Sequence, residues 1–436
     1  MQTLPSDPGP GLELVPFRGI RYARDRVSGI ANVTSPPYDV ISGSILEHLR
    51  GADPHNVVRL ILPGDDADAN QVAAGLLHEW LSEGVLIPDP APVLYLYEQA
   101  GEAAAWLQRG IISLVRLGPP GTAGILPHES VMPGPVAGRR ALMAATQANL
   151  EPIFLIYDGK RAGGAAEMID AVAAERAPLV SVSTEDGVTH RLWRLDQPGE
   201  SEAIIADLAG GRALIADGHH RYAAYLDLQA EMRSSGRGAG PWDYGMAFLV
   251  ASDAYPPRLG AIHRVLPGLA PEQAAELAKA AFTVQELPGG GGLARGLECL
   301  AAAGREGTAF LLAGGSPAQT RFWLLSQPDP VQVTASMPAG TSAQWQSLDA
   351  SVMQQLLIGR LWGIADSERD VLINHDAADA VSVAISTGAT AVICNPPSFE
   401  SVIQIAAQGE RVPRKSTSFG PKPRTGLVLR TFEQAG

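Results

Sequence analysis

The chain has 436 residues, a formal net charge of −13, 18% charged residues and a mean hydropathy of +0.04. That length and apolar content exclude a disordered chain and predict two or three closely packed lobes. The acidic balance argues against a broad nucleic-acid surface, which needs a basic face, but leaves room for a local basic pocket.

Two cysteines, Cys299 and Cys394, make neither a disulfide framework nor a thiolate metal site, which fits a reducing compartment. No apolar run is long enough to span a bilayer, and MQTLPSDPGPG lacks the regions of a signal peptide; the expectation is a cytoplasmic protein without a membrane partner.

In chain order, residues 1–11 read as a Pro/Gly-rich tail and LELVPFRGIRY as a strand and turn. Two prolines in Ser35-Pro36-Pro37-Tyr38-Asp39 fix an extended turn that aims Tyr38 and Asp39, with a rigid loop and a capping Asp39 as the plainer alternative. Val57–Leu62 predicts a strand with Arg59 embedded in it, and Asn70–Glu83 an amphipathic helix stopped by Gly84. Pro92–Gln99 and Gln108–Leu117 predict paired strands.

His128 and Glu129 lie between prolines, hence on a loop, where a carboxylate beside an imidazole can bind a metal or move a proton. Arg139 and Arg140 then read as the start of a helix, an unfavourable place for cations that hints at an anionic ligand or at plain solvated arginines. Glu151-Pro152 leads into the buried strand IFLIY, followed by helix 163–175, strand 188–195 and helix 201–209.

The stretch from 212 to 228, RALIADGHHRYAAYLDL, organises the rest. Arg212–Ala216 reads as a buried strand, Asp217-Gly218 turns the chain, and Tyr222, Tyr225 and Leu226 recur at helical spacing. Asp217, His219, His220 and Arg221 therefore sit where a strand ends and a helix begins, and there backbone N–H groups and the helix dipole favour an anion. Gly218 lets a ligand approach the backbone. Arg221 can fork onto a phosphate, the histidines can donate to it, and Asp217 can act as a base or hold a metal. The bland alternative is a turn-forming or capping Asp with one packed histidine.

Beyond it, 236–241 reads as a loop, 246–251 as a buried strand and 271–282 as a helix. The glycines 289–292 lack a following Lys-Ser/Thr, so they predict a flexible linker and not a phosphate loop. Strands FLLAG and TRFWLLS, a helix over 348–364 and an alternation of strand 371–374, helix, strand 391–394 and helix predict an α/β lobe. The segment 409–424, GERVPRKSTSFGPKPR, gathers basic residues before a final strand. Lys415 and Ser416 are candidate phosphate ligands, and Lys422 and Arg424 candidate clamps for a substrate carboxylate, against a solvated basic loop.

The stretch ADGHHRYAA resembles the signature of the ParB/sulfiredoxin-like superfamily, and its Asp-Gly-His-His-Arg version is similar to that of free serine kinases. Together with VTSPPYDVIS, ILPHESVMPGP, ATQANLEPIFLIYD and RVPRKSTSFGPKPRTGLV, it also resembles the domain-of-unknown-function family 1015. The resemblance implies a mixed α/β chain with a ParB/sulfiredoxin-like nucleotide-binding core over 119–268, an N-terminal α/β lobe over 12–118 and a C-terminal α/β lobe over 269–436.

The expected activity is nucleotide-dependent phosphoryl transfer, from ATP or ADP with Mg²⁺, to a small hydroxyl-bearing metabolite, with an amino acid such as serine as one candidate acceptor. Gly218, His219, His220, Arg221, Lys415 and Ser416 would hold phosphates. Asp217, Glu129 or His220 would carry the catalysis, and Tyr38, Asp39, His128, Lys422 and Arg424 would line the substrate. Two alternatives stand beside it. A nucleotide-sensing binding protein uses the same cradle without turnover; a metal-dependent hydrolase uses His128, Glu129, Asp217, His219 and His220 as ligands. DNA partitioning is weaker still, lacking a helix-turn-helix and a basic face.

Overall fold

The computed structural model describes residues 11–101, 106–119, 122–159, 164–288, 291–316, 319–367 and 369–432. The chain divides into two compact units. The first holds residues 1–127, 131–257 and 421–436, and the second holds 128–130 and 258–420.

The first unit is built on a large mixed sheet. Its strands run in spatial order Ile125–Leu126, Ala213–Asp217, Ile153–Tyr157, Tyr244–Ala251, Trp106–Arg116, Leu94–Gly101, Val188–Leu195 and Val180–Ser183, with Leu14–Val15 paired to Trp106–Arg116. Ala213–Asp217 and Ile153–Tyr157 are buried at every position, which is why they read as unbroken apolar runs rather than as alternating patterns. The two pair antiparallel, and the register slips between Ile215 and Asp217. Such a bulge turns the strand end and re-aims its last side chain, here Asp217. Helices Pro133–Thr146 and His219–Ser234 supply Val136, Met143, Tyr222, Tyr225 and Leu228 to the core over this sheet.

The second unit carries an antiparallel sheet ordered Thr283–Glu286, Gln319–Ser326, Ala309–Ser316, Thr390–Cys394, His263–Leu266 and Leu372–Asn374. Its two faces alternate cleanly: Phe310, Leu312 and Val392 join one apolar cluster, and Leu311, Ala313 and Ile393 the other. This is the period-2 pattern of a sheet covered on both sides. The mixed α/β class expected from the sequence is the class observed. Among the described residues, no helix is long and apolar enough to cross a membrane.

Several local expectations are corrected. Val58–Ile61 is a helical turn and not a strand. Asn56 Oδ1 accepts the Val58 N–H at 2.9 Å, and Val57, Val58, Leu60 and Ile61 are fully buried, so all-round burial overrides β-propensity. The helix bearing Arg139 and Arg140 begins at Pro133, whose ring suits a first helical turn. Both arginines therefore sit mid-helix, clear of the N-terminal end of the dipole.

Of the glycine run, 289 and 290 lie outside the described residues, while Gly292 opens a helix to Glu306 that the linker reading missed. The helix expected over 348–364 is one α-turn, Asp349–Val352, continued as a π-helix over Met353–Leu361. The final strand forms a ladder at Arg430–Thr431, against Ala148–Asn149, and an isolated bridge at Leu429, against Ile20.

Candidate functional site

Asp217 is the last residue of its strand, Gly218 follows with φ +95°, and the helix starts at His219. That φ is left-handed, a region glycine enters without steric cost. A Cβ at this position would also lie 3.0 Å from Ile153 Cγ2 and 3.2 Å from the Arg221 guanidinium. The strand end, the turn and the first helical turn thus hold Asp217 and Arg221 on one side of the backbone. Arg221 Nη2 donates to Asp217 Oδ2 at 2.5 Å and Nη1 donates to the Pro152 carbonyl at 2.6 Å. Arg221 is 4% exposed; both Nη atoms are engaged, while its buried Nε has no hydrogen-bond partner among the described residues.

Two distant segments complete the cluster. Ser35 and Thr425 form an antiparallel bridge, with N–H···O bonds of 3.1 and 2.9 Å. On one flank of that bridge, the Lys422 ammonium donates to Asp39 Oδ2 at 2.5 Å and lies 2.6 Å from Asp217 Oδ1. Tyr38 donates its backbone N–H to Glu151 Oε1 at 3.1 Å, and Thr425 donates its hydroxyl to the same oxygen at 3.2 Å. The Tyr38 ring lies 4.3 Å from the Arg139 guanidinium and 5.9 Å from that of Arg221. On the bridge's other flank, Arg424 Nε donates to Thr34 Oγ1 at 2.8 Å, and Nη2 donates to the Thr34 carbonyl at 3.0 Å.

The electrostatics follow from this packing. Burial opposes the charge on Lys422, yet Asp217 and Asp39 outweigh it and hold the ammonium pKa above its ordinary value. Burial likewise opposes ionisation of Asp39, and Lys422 and Arg221 reverse that, lowering its pKa. Arg221, opposed by burial, is held above its usual value by Glu151, Asp217 and Asp39. Burial pushes the Tyr38 phenol up. Three carboxylates, Asp39, Glu151 and Asp217, therefore meet three cations, Arg139, Arg221 and Lys422.

The remaining sequence candidates are placed as follows. His219 is the first helical residue and is buried, and His220 Nε2 accepts the Met132 N–H at 3.2 Å. His128, Glu129, Lys415 and Ser416 belong to the second unit. There His128 is wholly buried, with Nε2 2.8 Å from Thr417 Oγ1, whose hydroxyl donates to Glu129 Oε1 at 3.0 Å. Since the hydroxyl's one proton points at Glu129, His128 Nε2 must be the protonated nitrogen in that contact. Lys415 has φ +55°, and buried Arg264 holds this turn by donating to the carbonyls of Arg414 and Lys415 at 3.1 and 2.9 Å. Ser416 donates its hydroxyl to the Pro413 carbonyl. Among the described residues, no three or more His, Cys, Asp or Glu side chains form a group able to hold a metal ion.

The sequence reading gave Glu151 no place in the site. Its signal is a carboxylate one residue ahead of Pro152 and a strand with no polar residue, a position where an acid must be buried and therefore paired.

Comparisons with known proteins add the following. Residues 14–351 match the family model described as "Protein of unknown function (DUF1015)". No curated protein matches the chain in sequence. Among solved structures, a free serine kinase mutant in complex with AMP is 14% identical with a TM-score of 0.34, covering 70% of this chain and 88% of that one. SbnI from Staphylococcus aureus, truncated at its C-terminus, is 12% identical with a TM-score of 0.34, covering 72% and 85%. A conserved hypothetical protein from Pyrococcus furiosus is 13% identical with a TM-score of 0.34, covering 71% and 93%. Likeness at these scores assigns no role to any residue.

Proposed function

The chain belongs to the DUF1015 family, and on that premise we propose that it is a nucleotide-dependent phosphotransferase acting on a small hydroxyl-bearing metabolite, with a ParB/sulfiredoxin-like phosphate cradle at Gly218. One observation carries the reading: the Lys422 ammonium sits between the carboxylates of Asp39 and Asp217, beside a helix entered through a left-handed glycine. Helix N-termini bind phosphate through backbone N–H groups and the dipole. The adjoining ammonium adds a charge that is held in place by two partners before any ligand arrives. Preorganised charge of this kind is what phosphoryl transfer requires, because its transition state is stabilised mainly by positioning and neutralisation.

In this mechanism the nucleotide phosphates lie against the first turn of His219–Ser234, and Lys422 faces the transferring phosphoryl group. The acceptor hydroxyl oxygen forms a bond to phosphorus as the bond to the leaving diphosphate breaks. The hydroxyl proton passes to Asp217. A strong base is not needed, which suits a carboxylate whose two oxygens already accept from Arg221 and Lys422. Arg221, with Nη1 on Pro152 and Nη2 on Asp217, acts as a positioning residue and not as a phosphate fork. Asp39 would also hold Mg²⁺ arriving with the nucleotide, where it would neutralise phosphate charge; one or two protein carboxylates suffice when phosphates supply other oxygens.

A thermal-shift titration with ATP and Mg²⁺ tests the cradle. Nucleotide at about a hundred times its dissociation constant should stabilise the wild type by about 2.7 kcal/mol, and Lys422→Met should lose most of that gain. A wild type that no nucleotide stabilises overturns the reading.

A further inference from the structure

The Ser35–Thr425 bridge has a second flank, and it faces a cavity of about 320 Å³ in the first unit. Its apolar lining is Ala31, Pro36, Ile45, Leu49 and Ala52. Its charged groups are of both signs: the Arg424 guanidinium, and Glu185 and Asp186 from the hairpin between Val180–Ser183 and Val188–Leu195, with His48 of the same lining 3.1 Å from Glu185 Oε2. Arg424 spends Nε and Nη2 on Thr34 and Ala31, while Nη1 makes no hydrogen bond among the described residues. Burial lowers the Arg424 pKa from its ordinary value, and Tyr97, Asp186 and Glu185 offset this only in part. The cation is thus underpaired by the protein itself.

We propose that this cavity binds a small zwitterion, its carboxylate on Arg424 Nη1 and its ammonium toward Asp186 and Glu185, and that this zwitterion is the phosphoryl acceptor. As the acceptor's pocket, the assignment rests on the phosphotransferase reading. Three features point the same way. An arginine fork presents donors suited to a carboxylate, and Asp186 and Glu185 in the same lining offer carboxylates for a cationic group. The volume lies at the low end of the roughly 300–1,000 Å³ of small-molecule sites, right for a metabolite and small for a whole nucleotide. Lys422 and Arg424 are two residues apart, at most about 7 Å of backbone, so one short segment serves both the Lys422 cluster and this cavity.

The test is calorimetric titration of L-serine, glycerate (no ammonium) and ethanolamine (no carboxylate) into the full chain, with and without a non-hydrolysable ATP analogue and Mg²⁺. Ile45→Trp fills the cavity from a half-exposed wall position without touching its hydrogen bonds, and Arg424→Lys removes the fork. The expected result is binding of L-serine at least tenfold tighter than of either analogue, weakened tenfold or more by each substitution. The proposal is overturned if L-serine binds in neither condition, if glycerate or ethanolamine binds equally well, or if Ile45→Trp binds L-serine like wild type. Retained nucleotide binding without L-serine binding sinks only this inference. L-serine binding with no nucleotide binding sinks the phosphotransferase reading and leaves the zwitterion site standing.

Discussion

An ammonium between two carboxylates has a pH window set by its partners. Asp39 has a lowered pKa, so its contribution to stability is complete above the unfolded value of about 3.9 and is lost as pH falls through the lower folded value. Lys422 has a raised pKa, so its contribution is complete below about 10.4 and is lost as pH rises through the higher folded value. Between about pH 4 and pH 10 the cluster is intact. Removing the ammonium leaves two carboxylates facing each other, which costs about 1–3 kcal/mol after discounting for partial solvent access. Lys422→Met should therefore lower stability at pH 7 and flatten the rise in stability from pH 3 to 5, as measured by urea melts. A variant with wild-type stability and an unchanged acid limb would show that the ion pairs contribute nothing. At this scale the sequence exposed Asp217 and Arg221, because both sit in one short motif. It could not show that Lys422 reaches Asp217, since nothing local to either residue encodes the contact.

Elements were legible where one local signal dominated. The buried strand, the glycine and the helical spacing after Arg221 agree with one another, and the structure places strand, turn and helix there. Val57–Leu62 failed for the opposite reason: a short apolar run has the same pattern in a buried helix turn as in a strand, and here tertiary burial chose the helix. The helix Gly292–Glu306 was hidden by the glycines at its start. The π-helical continuation after Val352 leaves no periodicity distinct from an α-helix over so few turns. The strand–glycine–helix joint yields its own prediction. Gly218→Ala should destabilise by about 1–2 kcal/mol, from the left-handed φ and from crowding of Ile153 and Arg221. Denaturant unfolding checks it, and a neutral or stabilising change would mean that the turn relaxes freely.

On the scale of the whole molecule, the chain crosses between its units and returns. Residues 421–432 rejoin the first unit after the second has been completed, through Thr425 on Ser35, Leu429 on Ile20 and Arg430 on Asn149. Composition and periodicity predicted α/β lobes but not this closure, because pairing between segments hundreds of residues apart leaves no trace in either one. The closure matters chemically, since it is what carries Lys422 to Asp39 and Asp217.

The most direct test of the account is single-turnover ³¹P NMR of the full chain with ATP, Mg²⁺ and candidate hydroxyl acceptors, beside Asp217→Asn. The account predicts a new phosphomonoester formed in step with ADP, at a rate reduced roughly 10²-fold or more in the variant. Bound nucleotide that yields no phosphomonoester with any acceptor, or an Asp217→Asn variant that transfers at the wild-type rate, would contradict it.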